Sequence, residues 1–178
     1  MPEQHQGPGA RAASGVRAGI ERVVDVVGAA TAWISLVIVG LMATNVLLRY
    51  LFSEGSVWAQ ELEWYLLVPL VLFGMSYAMR HGEHVRVDIL YAKFTDRKKL
   101  YVDLLSALLC MALSVVVIWL SLHYVQQAYV IDEGSPDPGG IPHRYLIKSL
   151  IPIGFALLFV QSIATALGSI EKLRSLKS

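Results

Sequence analysis

The polar positions of this chain fall into blocks, and between the blocks lie four apolar stretches. Residues 26–48 carry no charged side chain, nor do 66–79, 104–122 or 149–170. About 20 helical residues, rising 1.5 Å each, cross a hydrocarbon core of roughly 30 Å. Three of the stretches reach that length alone. The second reaches it with its flank, back through Leu62 and past Glu63. Pro69 and Gly74 inside it would disrupt a helix in water, but membrane helices tolerate such kinks. Pro152 falls in the first turns of the fourth stretch, where a missing N–H costs little. The pattern predicts an all-α integral membrane protein with four transmembrane helices, over about 26–48, 62–79, 101–122 and 146–170. They form a membrane domain over 23–173, between a Gly/Ala/Arg-rich tail (1–22) expected to be disordered and a short tail over 174–178. Arg11, Arg17 and Arg22 precede the first stretch as they would a signal peptide. That stretch is too long for one, and no small-residue cleavage site follows before Arg49 and Tyr50.

Composition narrows the class. Apolar residues make up 55% of the chain and charged ones 16%, where about a quarter is usual for soluble proteins. A net charge of +1 gives no global electrostatic case for nucleic acid. Cys110 is the single cysteine and lies in an apolar run, so there is no disulfide framework and no Cys-based metal site. Lysine and arginine set the orientation. Three precede the first helix, six lie between the second and third (Arg80, Arg86, Lys93, Arg97, Lys98, Lys99), and three follow the fourth (Lys172, Arg174, Lys177). The other two connections hold only Arg49, Arg144 and Lys148. Twelve against three puts both termini in the cytoplasm.

Between the second and third helices, Val87, Leu90, Tyr91 and Phe94 recur at i, i+3, i+4 and i+7 and so share one helical face. Arg86, Lys93, Arg97, Lys98 and Lys99 fall largely elsewhere. The spacing predicts a short amphipathic helix over about 86–98, lying in the cytoplasmic interface with its basic face toward anionic head groups. A plain charged loop obeying the positive-inside rule is the alternative. A metal pair at His81 and His84 with Glu83 is disfavoured by Gly82, which weakens a helix there, and by the lack of a further ligand nearby.

Three runs carry a resemblance: Asn45-Val46-Leu47-Leu48-Arg49-Tyr50, Trp58-Ala59-Gln60-Glu61-Leu62, and Arg80-His81-Gly82-Glu83-His84-Val85-Arg86-Val87-Asp88. In order, spacing and topology, over roughly 23–173, the chain resembles the DctQ-like small membrane subunit of tripartite ATP-independent periplasmic (TRAP) transporters. Gln60 stands where that family often has an acid, and Val85 where it has isoleucine. The resemblance implies a multi-pass protein of the bacterial inner membrane, without cofactor or catalytic site. Its implied partners are a large sodium-coupled permease subunit, a periplasmic binding protein that captures an organic acid (usually a carboxylate), and membrane lipids. The loop around Pro136, Pro138 and Pro142 looks like that of a subgroup labelled for dicarboxylates, mannitol or chloroaromatic compounds. Such labels are weak guides to substrate.

The residues themselves agree with a supporting role. A conducting site needs an ionisable group near mid-membrane, and the four apolar stretches contain none. Asn45 and Arg49 sit four residues apart near the outer end of the first helix, and Trp58 and Glu61 begin the second. An Arg49–Glu61 pair, an Arg49–lipid contact and simple snorkelling of Arg49 all fit. Contact candidates with a partner or lipid are Asn45, Arg49, Tyr50, Trp58, Glu61, His84, Arg86, Asp88, Leu90 and Phe94. Asp132, Glu133 and Asp137 give the outer loop a local negative charge that would flank a docking surface for the binding protein; a plain helix connector is the alternative. Trp33, Trp64, Trp119, Tyr65, Tyr77 and Tyr145 suit an aromatic belt. Small residues in the first helix (Gly28, Ala29, Ala32, Ser35, Gly40) and the fourth (Gly154, Ala156, Ala164, Gly168) allow close helix contact. Two other classes fit less well. A dihaem cytochrome subunit needs histidines within the membrane, and none of the five lies mid-segment. A small multidrug exporter needs a membrane glutamate in the first helix, which offers only Asp25 at its cytoplasmic end.

Overall fold

The structure, a computed structural model, describes residues 8–53, 55–82 and 94–176, with side chains from residue 15 onward. Four helices make up the described chain: α1 (Pro8–Phe52), α2 (Val57–His81), α3 (Asp96–Val130) and α4 (Tyr145–Ser175). All four are long and apolar enough to cross a membrane.

The helices outrun the apolar stretches because a hydrogen-bond ladder, once started, extends until something stops it. α1 begins at Pro8, so most of the expected disordered tail is helical instead. Its Ala-rich sequence favours helix, and Arg17 bonds Glu21 one turn on (2.8 Å). α2 starts at Ser56, whose side chain accepts the Ala59 N–H at 3.3 Å, and stops at Gly82 in the left-handed conformation (φ 75°). Such an N-cap and C-cap satisfy backbone groups that would otherwise face an apolar medium unpaired. α3 starts just after Thr95 and takes in Asp96, Arg97 and Lys98. A separate helix running to residue 98 is thereby corrected, since those residues open the third long helix. Residues 83–93, with His84, Arg86, Asp88 and Leu90, lie outside the described residues. Phe94 sits half-buried at the bend before α3.

α4 is the hub. It packs on α3, α2 and α1, and α1 also packs on α2, while α3 makes no comparable contact with α1 or α2. Its contact faces are lined by small or polar side chains, among them Gly154, Ser162, Ala164, Gly168 and Ser169. On α3 the buried residues are Ala107, Ser114, Ser121 and Ala128, spaced seven apart. A seven-residue repeat keeps one stripe facing a neighbour along a left-handed crossing. Small side chains in that stripe let backbones approach closely, which is how helices hold together in lipid. The buried hydroxyls bond their own helix: Ser114 donates to the Cys110 carbonyl (2.7 Å) and Ser162 to that of Leu158 (2.8 Å). Two glycines set the approach of α2. A Cβ at Gly28 would lie 2.6 Å from Tyr77 Cγ, and one at Gly154 would lie 2.7 Å from Leu72 Cβ. Large apolar side chains, including Trp33, Leu109 and Trp119, face outward, as expected where the surroundings are hydrocarbon.

Candidate functional site

Polar chemistry gathers at the two ends of the bundle. At the terminal end the start of α1 meets the ends of α2 and α4. Arg17, Glu21 and Asp25 follow one another at four-residue spacing, so one face of α1 presents a cation followed by two anions. Arg80, in the last turn of α2, reaches Asp25 through Nε and Nη2 and Glu21 through Nη1 (3.0 Å). His81 lies 3.3 Å from Asp25 and stacks near Tyr77, with ring centroids 4.2 Å apart. Arg17 adds a bond to Glu171 of α4 (3.3 Å). His81, half of the disfavoured metal pair, is thus held by a carboxylate of α1.

At the opposite, hairpin end the α1–α2 and α3–α4 connections come together. Glu61, in the second turn of α2, accepts hydrogen bonds from Ser135 Oγ and from the Ile141 backbone N–H (2.5 Å). It therefore fastens the α3–α4 loop to α2. The Arg49–Glu61 pair, one of the alternatives for Arg49, is not among the described contacts: Glu61 meets the loop through both oxygens. Gly140 makes the arrangement possible: a Cβ there would lie 2.6 Å from Glu61 Oε2. Asn45, 7% exposed, donates through Nδ2 to Glu63 Oε1 at 3.1 Å and ties α1 to α2.

Clefts of about 490 Å³ and 280 Å³ flank the Asn45–Glu63 tie. Arg49 lines the smaller one with Gln60 and Trp64, and its guanidinium has no hydrogen bond or ion pair among the described residues. Tyr50 is 82% exposed and Trp58 half exposed. Asn45, Arg49, Tyr50 and Trp58 are thus brought to one end of the α1–α2 hairpin, with the first three on α1.

Loop 131–144 is held at several points. Glu133 pairs with Lys148, whose ammonium also sits 3.9 Å from the Tyr124 ring centroid. Asp132 meets His143 Nδ1 at 3.1 Å, and both adopt positive φ (45° and 60°). Of the three acids expected to face a docking partner, two are engaged within the loop and its flanks. The Asp137 carboxylate makes no bond among the described residues. Sequence reasoning missed the α3 seam and the loop-holding role of Glu61. The first had a signal, the seven-residue spacing of Ala107, Ser114, Ser121 and Ala128. The second had none, since Glu61 and Ser135 are 74 residues apart.

Residues 38–172 match the family described as tripartite ATP-independent periplasmic transporters, DctQ component. The ectoine TRAP transporter small permease protein of Halomonas elongata is 28% identical over 71% of this chain and 67% of its own. The C4-dicarboxylate TRAP transporter small permease protein of Vibrio cholerae is 27% identical over 66% of this chain and 60% of its own. The sialic acid TRAP transporter permease protein of Haemophilus influenzae is 26% identical over 70% of this chain but only 20% of its own length.

Proposed function

Because the chain belongs to the DctQ component family of tripartite ATP-independent periplasmic transporters, we propose that it is the non-catalytic small membrane subunit of such a transporter. In this reading it lies in the bacterial inner membrane with both termini cytoplasmic, and supports a large sodium-coupled permease subunit. The match of this chain to one fifth of the longer sialic acid permease supports a partnership of this kind. The transported solute is an organic acid captured by a periplasmic binding protein. The names of relatives, ectoine and C4-dicarboxylate, favour small carboxylate-bearing solutes without selecting one.

One observation carries the supporting role: the four apolar stretches are free of charged residues, and the ionic contacts described lie at the bundle ends. Coupling to an ion across the membrane needs an ionisable or ion-coordinating group near the midplane. The large subunit supplies it in this reading. The hairpin end faces the periplasm, following the twelve-to-three distribution of basic residues, and Arg49, without an ion pair among the described residues, meets the large subunit there with Tyr50 and Trp58. The segment with Leu90 and Phe94 lies along the cytoplasmic interface.

Copurification tests this. Arg49→Ala is expected to lower the amount of large subunit recovered, with sodium-driven uptake falling in proportion. A fully assembled Arg49→Ala complex without uptake would count against a supporting role. Cysteines placed at Ser14 and Ser175 are expected to resist an impermeant thiol reagent in spheroplasts, and labelling from outside would reverse the orientation.

A further inference from the structure

Contacts between helices fix which residues share a height along the bundle. Asp25 meets Arg80 and Asn45 meets Glu63, so α1 and α2 run antiparallel at matched heights. Leu72 lies against Gly154 and Met79 against Ser162, which sets α4 beside α2. Tyr129 meets Tyr145 and Tyr124 meets Lys148, which sets α3 beside α4. Arg17 against Gly168 closes the circuit from α1 to α4.

On this scale the charge-free stretches do not line up. Those of α1 and α2 end together at Asp25 and Arg80, level with Ser162 of α4. α4 runs on without charge to Ile170, about 12 Å farther. α3 keeps pace with α4, since its stretch ends at Asp103, which shares a cavity wall with Lys172. The opposite end is offset in the same direction. His123, Gln126 and Gln127 of α3 face outward at the height of Lys148, where α1 and α2 still present exposed Val39 and Leu67.

Exposed side chains repeat the offset. Leu105, Leu108 and Leu109 of α3 are 58%, 49% and 63% exposed, at the height where α1 carries Arg17 and Glu21. A membrane plane square to the helices would leave those leucines in water or draw the charges into hydrocarbon, and either is costly. Aromatic residues, which favour the two interfaces, are displaced likewise. Trp119 of α3 lies nearer the terminal end than Trp64 of α2, and Tyr101 nearer than Tyr77, all four being exposed.

We propose that the bilayer crosses this bundle obliquely. Its outer surface cuts α1 near Arg49 and α3 near His123, and its inner surface cuts α1 near Asp25 and α3 near Asp103. The α3 segment from His123 to Ile131 then stands clear of the membrane on the outer side, and the α1 segment from Arg17 to Asp25 on the inner side. An offset of about 12 Å across one to one and a half helix spacings of about 8–10 Å gives a lean of roughly 40°, steep for membrane helices. The inference rests on the helices crossing a bilayer, not on the solute carried.

The test uses the full chain with Cys110→Ala, reconstituted in phosphatidylethanolamine–phosphatidylglycerol vesicles. Single cysteines at Val39, Gln126, Ala18 and Leu109, all exposed positions, are spin-labelled, and depth is read from relaxation by oxygen against a water-soluble nickel chelate. Val39 and Gln126 share one height along the bundle, and Ala18 and Leu109 another. Val39 is expected about 10 Å deeper than Gln126, and Leu109 about 10 Å deeper than Ala18, for helices one to two spacings apart on a tilted plane. Equal depth within either pair would overturn the oblique crossing. Four shallow labels would overturn membrane crossing along with it.

Discussion

The two ends of the bundle use polar side chains for different purposes. At the terminal end, Arg17 and Arg80 bridge α1 to α4 and α2 through carboxylates. Helix is held to helix, and each partner is a formal charge. At the hairpin end, Glu61 accepts from a serine hydroxyl and a backbone N–H, and Asn45 donates to Glu63. There Glu61 holds a loop to a helix and Asn45 ties α1 to α2, with one neutral partner in each of these bonds. The difference teaches where rigidity lies. The terminal end couples the helices, so damage there is global. The hairpin end shapes a connection, so damage there is local.

The largest expected effect comes from helix approach beside the terminal cluster. Gly28→Leu drives a side chain into Tyr77 and forces α1 from α2. Over-packing of this kind costs about 1–3 kcal/mol or more, read as a lower unfolding midpoint in detergent. A variant as stable as the parent would show that α1 and α2 are not in contact there.

Next comes Arg80→Ala, which strips Glu21 and Asp25 of a shared partner. The groups are a fifth to two fifths exposed, so screening holds the loss to about 1 kcal/mol. Arg80→Lys should recover little, because an ammonium cannot reproduce the two-pronged contact with Asp25. Raising salt should narrow the gap between Arg80→Ala and parent. A gap insensitive to salt would mean that packing of the arginine stem, not charge, matters at this end.

Glu61→Gln and Gly140→Ala should act on the loop alone. Faster hydrogen exchange at the Ile141 N–H, with the global midpoint unchanged, is the expected result for both. A global loss would erase the distinction between the two ends.

Asp137→Asn should be the mildest, within about 0.5 kcal/mol of the parent, because that carboxylate bonds nothing described. If it alters uptake at limiting binding protein while Asp132→Asn and Glu133→Gln do not, the docking role narrows to one of the three acids.

Much of the bundle was legible beforehand. Four charge-free stretches announced four helices, and the polar ends of those stretches announced where charges would meet. Less legible was the N-terminal part of α1. Its apolar content is too low for a membrane span, but helix propensity and the ties of Arg17 carry the ladder back to Pro8. The segment with His84, Arg86, Asp88 and Leu90 stays an expectation from periodicity alone.

What the sequence determined by itself is therefore what can be summed locally: hydropathy over some 20 residues, the side on which lysines and arginines accumulate, and the family signature. Only the tertiary structure decided that α4 is the hub, that Glu61 holds the α3–α4 loop, and that Gln161 Oε1 is buried without a partner among the described residues. The reason is physical. Partition into a membrane depends on a segment's own side chains, whereas a hydrogen bond depends on which distant residue arrives within 3 Å or so. Glu61 with Ser135, and Arg17 with Glu171, are 74 and 154 residues apart, and nothing local to either member names the other.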